Sequence, residues 1–128
     1  MSWKTLFILV LFSMILAACG GKPAPVGDLA AGEALFKQAT IGAAPGCATC
    51  HSTEPGVVIV GPSLAGVASR AGERVEGETA EQYLRNSILD PNAYVVEGFS
   101  PGTMYQNFAD ALSDQQVNDL VAYLLTLK

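Results

Sequence analysis

Cys47-Ala48-Thr49-Cys50-His51 is the stretch on which the reading of this chain turns. Two thiols three positions apart, with a histidine directly after them, form the attachment signature of c-type haem. Each sulfur adds to one vinyl group of the porphyrin, and the imidazole reaches the iron from one face. His51 is the only histidine among the 128 residues, which restricts what can meet the iron's other face. Two other chemistries use the same residue types. A thioredoxin-like dithiol wants a strand-to-helix context, whereas Ile41-Gly42-Ala43-Ala44-Pro45-Gly46 before the motif reads as a turn-rich loop. A structural zinc site wants four Cys or His ligands, and the motif supplies three.

Outward toward the N-terminus, Lys4 precedes an apolar stretch from Leu6 to Ile15 and the small-residue site Leu16-Ala17-Ala18, directly before Cys19. This is the layout of an export signal over residues 1–18. Leu-Ala-Ala-Cys resembles the lipobox of bacterial lipoproteins, in which the cysteine is acylated and becomes the mature N-terminus. An uncleaved membrane anchor is the other reading, although the apolar stretch is shorter than the ~20 residues a span needs. Either way the domain lies outside the cytoplasm and tied to a membrane. The three cysteines are then all assigned: Cys19 to lipid, Cys47 and Cys50 to haem.

Residues 19–27 read as a tether, with Gly and Pro among small residues and no helical period. The eight residues after Cys19 reach at most about 28 Å at ~3.5 Å each, so the domain works close to its membrane. Loss of residues 1–18 removes Lys4 and leaves six Lys or Arg against twelve Asp or Glu, a net charge of −6. Such a surface argues against nucleic acid, which selects basic patches. It is also repelled by anionic headgroups, so the membrane contact falls to the lipid.

Three helices are expected in the domain over residues 28–128. Asp28 caps one running to about Thr40, with Leu29, Gly32, Leu35 and Phe36 on one face. Thr79 and Gln82 form a capping box for a second, with Tyr83, Leu84 and Ile88 as its apolar stripe, that ends at Asp90-Pro91-Asn92. Ser113 and Gln116 cap the last, whose Val117, Leu120, Val121, Leu124 and Leu125 make an apolar face. Residues 41–78 are loop-rich, and a long irregular segment runs to Leu112. Within the former, Val57-Val58-Ile59-Val60 lies between Pro55-Gly56 and Gly61-Pro62, which suggests a tight loop laid over something apolar. So few short helices make a marginal core without a large apolar insert, and a haem is such an insert.

Met1 and Met14 leave with the signal, so Met104 is the only methionine of the mature chain. It follows Pro101-Gly102-Thr103 in the long loop. A thioether paired with histidine favours reduced iron and raises its potential; the structural alternative is a flexible gap-filler in the core.

Taken in order along the chain, these features resemble the mono-haem class I cytochromes c from about Asp28 to Lys128. The resemblance implies an all-α class I cytochrome c fold: three to four helices and long loops around one covalently attached haem. Gly32 and Phe36 are similar to the glycine and aromatic of the family's N-terminal helix, and Leu120 and Tyr123 to their counterparts on its C-terminal helix. In the family these helices cross where the glycine lets the backbones approach. Gly61-Pro62-Ser63-Leu64 resembles the segment whose proline carbonyl accepts the axial histidine's second ring proton and whose leucine packs on the haem, a bond that fixes the ring. Arg70 lies where an arginine often meets a propionate. Pro91 and Tyr94 resemble an Asn-Pro-x-x-Tyr segment, with Asp90 in place of the asparagine. Two departures concern the Met104 loop: Tyr105 follows where proline is common, and Val95 to Ser100 lengthens the approach.

The implied site is therefore Cys47, Cys50, His51, Pro62, Leu64, Arg70, Tyr94 and Met104 around one haem c, with His51 and Met104 on the iron. Iron filled on both faces has no room for a small-molecule substrate. The expected function is single-electron transfer to redox proteins at a respiratory or photosynthetic membrane. The lipoprotein cytochrome subunit of alternative complex III and oxidase-associated cytochrome c domains are similar, which leaves a tethered shuttle and a fixed subunit both open. The alternative is a haem c enzyme or gas sensor with a labile sixth ligand. A neutral docking patch is expected where Ile41 to Gly46 meets Tyr105, Gln106 and Asn107.

Overall fold

The computed structural model describes residues 27–128. The expected signal segment over residues 1–18, Cys19 and the expected tether up to residue 26 lie outside the described residues. Six α-helical segments are present among the described residues: α1 (Leu29–Phe36), α2 (Cys47–Cys50), α3 (Val67–Arg70), α4 (Ala80–Leu89), α5 (Phe108–Ala111) and α6 (Asp114–Leu124). A 3-10 turn at Ala71–Glu73 follows α3, and two two-residue strands, β1 (Thr40–Ile41) and β2 (Ala44–Pro45), pair antiparallel. The expected all-α architecture holds, with the α-count raised by three single-turn helices inside the stretches read as loop. Such turns carry too few residues to show a helical period. No helix among the described residues is long and apolar enough to cross a membrane.

The frame is α1 against α6. Gly32 sits at their closest approach: a Cβ there would lie 1.9 Å from the Asp119 carbonyl oxygen. The bare backbone lets Leu35 and Phe36 reach a core whose largest fully buried side chains are Leu120 and Val117. Phe36 and Tyr123 meet at 5.3 Å between ring centres, tilted by 50°. Burying one such large apolar side chain is worth roughly 1.5–3 kcal/mol. The buried Asp119 carboxylate accepts the Asp28 backbone N–H at 2.7 Å and the Gln115 side-chain amide at 2.8 Å. It thus fastens the start of α1 to α6 while the Asp28 side chain caps Ala31 N–H at 2.9 Å. Gly27, placed in the tether by its sequence, also packs on α6, where a Cβ would lie 2.1 Å from the Asn118 carbonyl oxygen.

Both expected capping boxes form. Thr79 with Gln82 starts α4, and Ser113 with Gln116 starts α6; a cap of this kind contributes about 1 kcal/mol. Arg85 then ties α4 to α6, donating to Asn118 Oδ1 at 2.6 Å and pairing with Asp114 at 3.0 Å.

Three expectations differ from the structure. The first helix ends at Phe36, not near Thr40, because Gly46 N–H donates to the Ala39 carbonyl at 2.8 Å and the chain doubles back through Gly42 at φ +60. Leu29, placed on the buried face, is 48% exposed in the first turn of α1. Of the Val57–Val60 run, read as a loop over something apolar, Val60 lies along the large cavity described below, and Val57, Val58 and Ile59 are not among its lining. The backbone of the run is held by a bridge from Val58 to His51 and by the Val60 and Gly61 N–H groups on the Cys50 carbonyl, at 3.2 and 2.9 Å. That pinning leaves the four side chains 46–60% exposed.

Candidate haem site

Hairpin and helix place the motif. The β1–β2 turn delivers Gly46 against the end of α1, where a Cβ would lie 1.8 Å from the Gln38 carbonyl oxygen. Gly46 then caps α2, a single turn that brings Cys47 and Cys50 to the lining of one cavity. The turn closes when His51 N–H donates to the Cys47 carbonyl at 2.9 Å, and His51 leaves it in extended conformation at φ −119, ψ 128. Its ring joins the same lining.

The His51 ring is fixed from two directions. Nδ1 lies 2.9 Å from the Pro62 carbonyl oxygen. A carbonyl only accepts, so Nδ1 carries the proton and the Nε2 lone pair is left free for a metal. Gly61 lies against the ring, where a Cβ would come within 2.4 Å of Cε1 and 2.8 Å of Nδ1. Burial pushes the imidazole pKa down, with the Pro62 bond opposing more weakly. Low dielectric disfavours the cation and so favours the neutral ring that ligation requires.

The segment under the ring is itself braced. Leu64 N–H donates to the Ser52 carbonyl at 2.8 Å, and Ser63 Oγ donates to the Glu54 carbonyl at 2.7 Å. Arg70 lines the cavity while its guanidinium donates to the Ser63 and Ala65 carbonyls, at 2.7 and 2.5 Å. Its structural work in the chain is therefore to hold the Pro62–Ala65 turn.

Burial pushes the Cys47 thiol up to about 11. A redox dithiol is favoured by a lowered thiol pKa, and burial at Cys47 works in the opposite direction. Among the described residues no three His, Cys, Asp or Glu side chains converge as a metal-ion cluster, which leaves a zinc site without support.

The cavity encloses about 1420 Å3 of open space, mouth included. A second cavity near Tyr94 spans only about 270 Å3 on the same measure. Phe36, Leu84, Ile88, Phe108, Leu120 and Leu124 line the larger cavity from four helices. Every residue named from the sequence for this site, Cys47, Cys50, His51, Pro62, Leu64, Arg70, Tyr94 and Met104, lines this one cavity. The donor set and the apolar walls fit a haem: two thiols on one helical turn, an imidazole with a free Nε2, and a thioether on the same lining.

Sequence reading missed part of the lining. Leu84, Ile88, Leu120 and Leu124 were read as a helix's core face, and they are that as well as cavity wall. The inserted stretch Val95–Ser100 contributes Val95, Val96 and Phe99, and its bend uses Gly98 at φ +89. Tyr94 packs edge-on against Tyr83 at 5.7 Å, and Tyr105 edge-on against Phe108 at 5.1 Å. Aromatic pairing of this sort contributes about 0.5–1.5 kcal/mol beyond burial. Nothing short of the folded chain shows which aromatics will pair. The expected docking stretch is only partly at the surface: Ala43 and Pro45 are exposed, while Ile41 and Ala44 are buried.

Comparison with known proteins agrees with this geometry. A family profile described as Cytochrome c matches residues 29–128. Cytochrome c2 of Blastochloris viridis is 33% identical over 128 aligned residues, which span 90% of this chain and 90% of that protein. A cytochrome c2 of Rhodopseudomonas palustris is 33% identical over 124, spanning 79% of this chain and 99% of that protein. The chain belongs to the cytochrome c family: a mono-haem class I member that carries one covalently bound haem c.

Proposed function

We propose that the chain is a lipid-anchored single-electron carrier on the extracytoplasmic side of a membrane. Cys47 and Cys50 would hold the haem as thioethers, and His51 Nε2 and the Met104 sulfur would be the ligands to its iron. When bound, the haem supplies one reversible electron, its iron passing between ferric and ferrous. The residues of the chain keep that exchange clean. Pro62 and Gly61 fix the imidazole, the apolar wall excludes water, and ligation by both His51 and Met104 would leave the iron no position for substrate. The observation that carries the reading is the His51 Nδ1–Pro62 bond at 2.9 Å beside a cavity that Met104 also lines.

A redox titration followed by spectra tests it. The ferric protein should show the weak near-infrared sulfur-to-iron band, and the ferrous protein should ignore carbon monoxide. Rapid carbon monoxide binding at neutral pH would instead support a haem enzyme or gas sensor.

Acylation at Cys19 is the proposed anchor. Cys19→Ala should release the protein from washed membranes into the soluble fraction. A short tether keeps the domain at high effective concentration near membrane partners, so weak docking suffices. The chain is either a tethered shuttle or a subunit of a larger oxidoreductase, and mild detergent extraction separates these: a subunit co-purifies with its complex.

Partners are redox proteins that approach uncharged ground. Between Glu54 and Arg70 no residue carries a charge, and the exposed Val57, Val58 and Ile59 lie on that stretch beside the His51 face. Pro45 and Tyr105 border the same cavity and are also uncharged. An acidic body with a neutral contact region predicts docking that depends weakly on salt.

A further inference from the structure

The Met104 side of the cavity is held by an arrangement that the haem motif does not contain. Asn92 follows Pro91, just beyond α4, where Asp90 N–H closes the helix on the Asn86 carbonyl at 2.7 Å. Ala93 N–H returns to the Asp90 carbonyl at 3.0 Å, so Asn92 sits in a turn built on the end of a helix. Its amide uses both ends. Oδ1 accepts the Gly102 backbone N–H at 2.9 Å, and Nδ2 donates to Gln106 Oε1 at 2.6 Å. Gln106 Nε2 in turn donates to the backbone carbonyl of Met104 at 2.6 Å.

Three hydrogen bonds thus seize the loop two residues before Met104, at Met104 itself and two residues after it. All trace back to one side chain. The loop has few other ties nearby. Gly102 is in the left-handed region at φ +78, the Thr103 N–H to Ser100 carbonyl contact is long at 3.4 Å, and Met104 itself is only half-buried. Neither an alanine nor any apolar residue at position 92 makes both contacts, because the side-chain amide offers an acceptor and a donor on one planar group and an apolar side chain offers neither.

We infer that Asn92, acting through Gln106, is a positioning residue that holds the Met104 loop closed over the cavity and so sets how readily an external ligand replaces the thioether. This rests on Met104 being the sixth ligand. An open loop releases Met104; a closed one returns its sulfur to the iron. Competition by added imidazole reads that balance directly.

The test is imidazole titration of the ferric holoprotein, followed by loss of the near-infrared band and the shift of the Soret band. Asn92→Ala should lower the half-displacing concentration about three- to tenfold, the size expected for loss of one or two net hydrogen bonds. Asn92→Asp keeps the acceptor for Gly102 and loses the donor to Gln106, so it should fall between wild type and Asn92→Ala. Gln106→Ala should act in the same direction with a smaller effect, and Asn92→Ala with Gln106→Ala should be less than additive. Melting temperature is followed in parallel. An Asn92→Ala protein that melts lower but binds imidazole as wild type does overturns the inference, because the bonds then serve the fold alone. Met104→Ala is the reference. If it leaves the band and the imidazole response unchanged, the ligand reading fails and the inference falls with it. If it opens the iron while Asn92→Ala does not, only the inference fails.

Discussion

The two walls of the haem cavity are built by different means. On the His51 wall, the thiols, the ligand and its supporting carbonyl lie within residues 47–62, and backbone bonds knit them. His51 N–H meets Cys47, Val60 and Gly61 N–H meet Cys50, and Leu64 N–H meets Ser52. The Met104 wall is assembled from a long excursion between α4 and α6. Its ties are side-chain amides and edge-on aromatic pairs: Asn92 to Gly102 and Gln106, and Tyr105 to Phe108. The first wall cannot open without losing helical turn, bridge and covalent attachment together. The second opens by breaking a few bonds that water can replace. Ligand loss should therefore begin at Met104, and the His51 wall should be the part that persists.

Five substitutions break or sharpen that contrast, taken from the largest expected effect to the smallest. His51→Ala removes the persistent ligand and should abolish stable six-coordinate haem, seen as loss of the low-spin spectrum in both oxidation states. Gly61→Ala attacks the same wall without touching a ligand. Its Cβ would stand 2.4 Å from the ring, so the imidazole must shift. Overpacking of this kind costs about 1–3 kcal/mol, and a fall in the chemical-denaturation midpoint should accompany spectral change. A normal spectrum at unaltered stability would mean that the ring is less tightly enclosed than its neighbours imply. Met104→Ala should leave the haem attached, lower the potential and convert a ferrous protein inert to carbon monoxide into one that binds it. The contrast with His51→Ala, which loses six-coordination altogether, measures the difference between the walls.

The smallest effect belongs to the surface between them. Ile59→Lys and Ala43→Lys place a charge on the uncharged ground without touching the lining. Electron-transfer rates to a membrane partner should drop by a few-fold with the potential unchanged, in line with the roughly 1–3 decades over which association rates vary among mutants of one interface. Unaltered rates in both would move the contact site elsewhere. Ala44→Lys is unsuitable for this purpose, since Ala44 is fully buried and the change would strike the core.

The contrast between the walls also explains what could be read in advance. His51, Pro62 and Leu64 were legible because their geometry is local: a helical turn, a short loop and a proline carbonyl eleven residues away. The helices α4 and α6 were legible because Thr79/Gln82 and Ser113/Gln116 announce their starts and an apolar stripe gives their period. The end of α1 was not, because Ala39 leaves the helix to pair with Gly46, a tertiary choice without a local signal. The exposure of Val57, Val58 and Ile59 was misread for a related reason: the flanking Pro55-Gly56 and Gly61-Pro62 suggested a loop over something apolar, but backbone bonds to Cys50 and a bridge to His51 hold the run.

The one-dimensional chain alone determined the cofactor, because Cys47, Cys50 and His51 carry their spacing wherever they are placed. It also put Met104 forward as the proposed second ligand, the only methionine that remains if residues 1–18 are removed. What the three-dimensional packing decided is how firmly each ligand is held. Gly61 against a ring, a guanidinium on two carbonyls and an asparagine clasping a loop ten residues on are contacts between segments that become neighbours only after α1, α4 and α6 have packed. Strength of attachment depends on those distances, and distance between remote residues is a property of the folded chain.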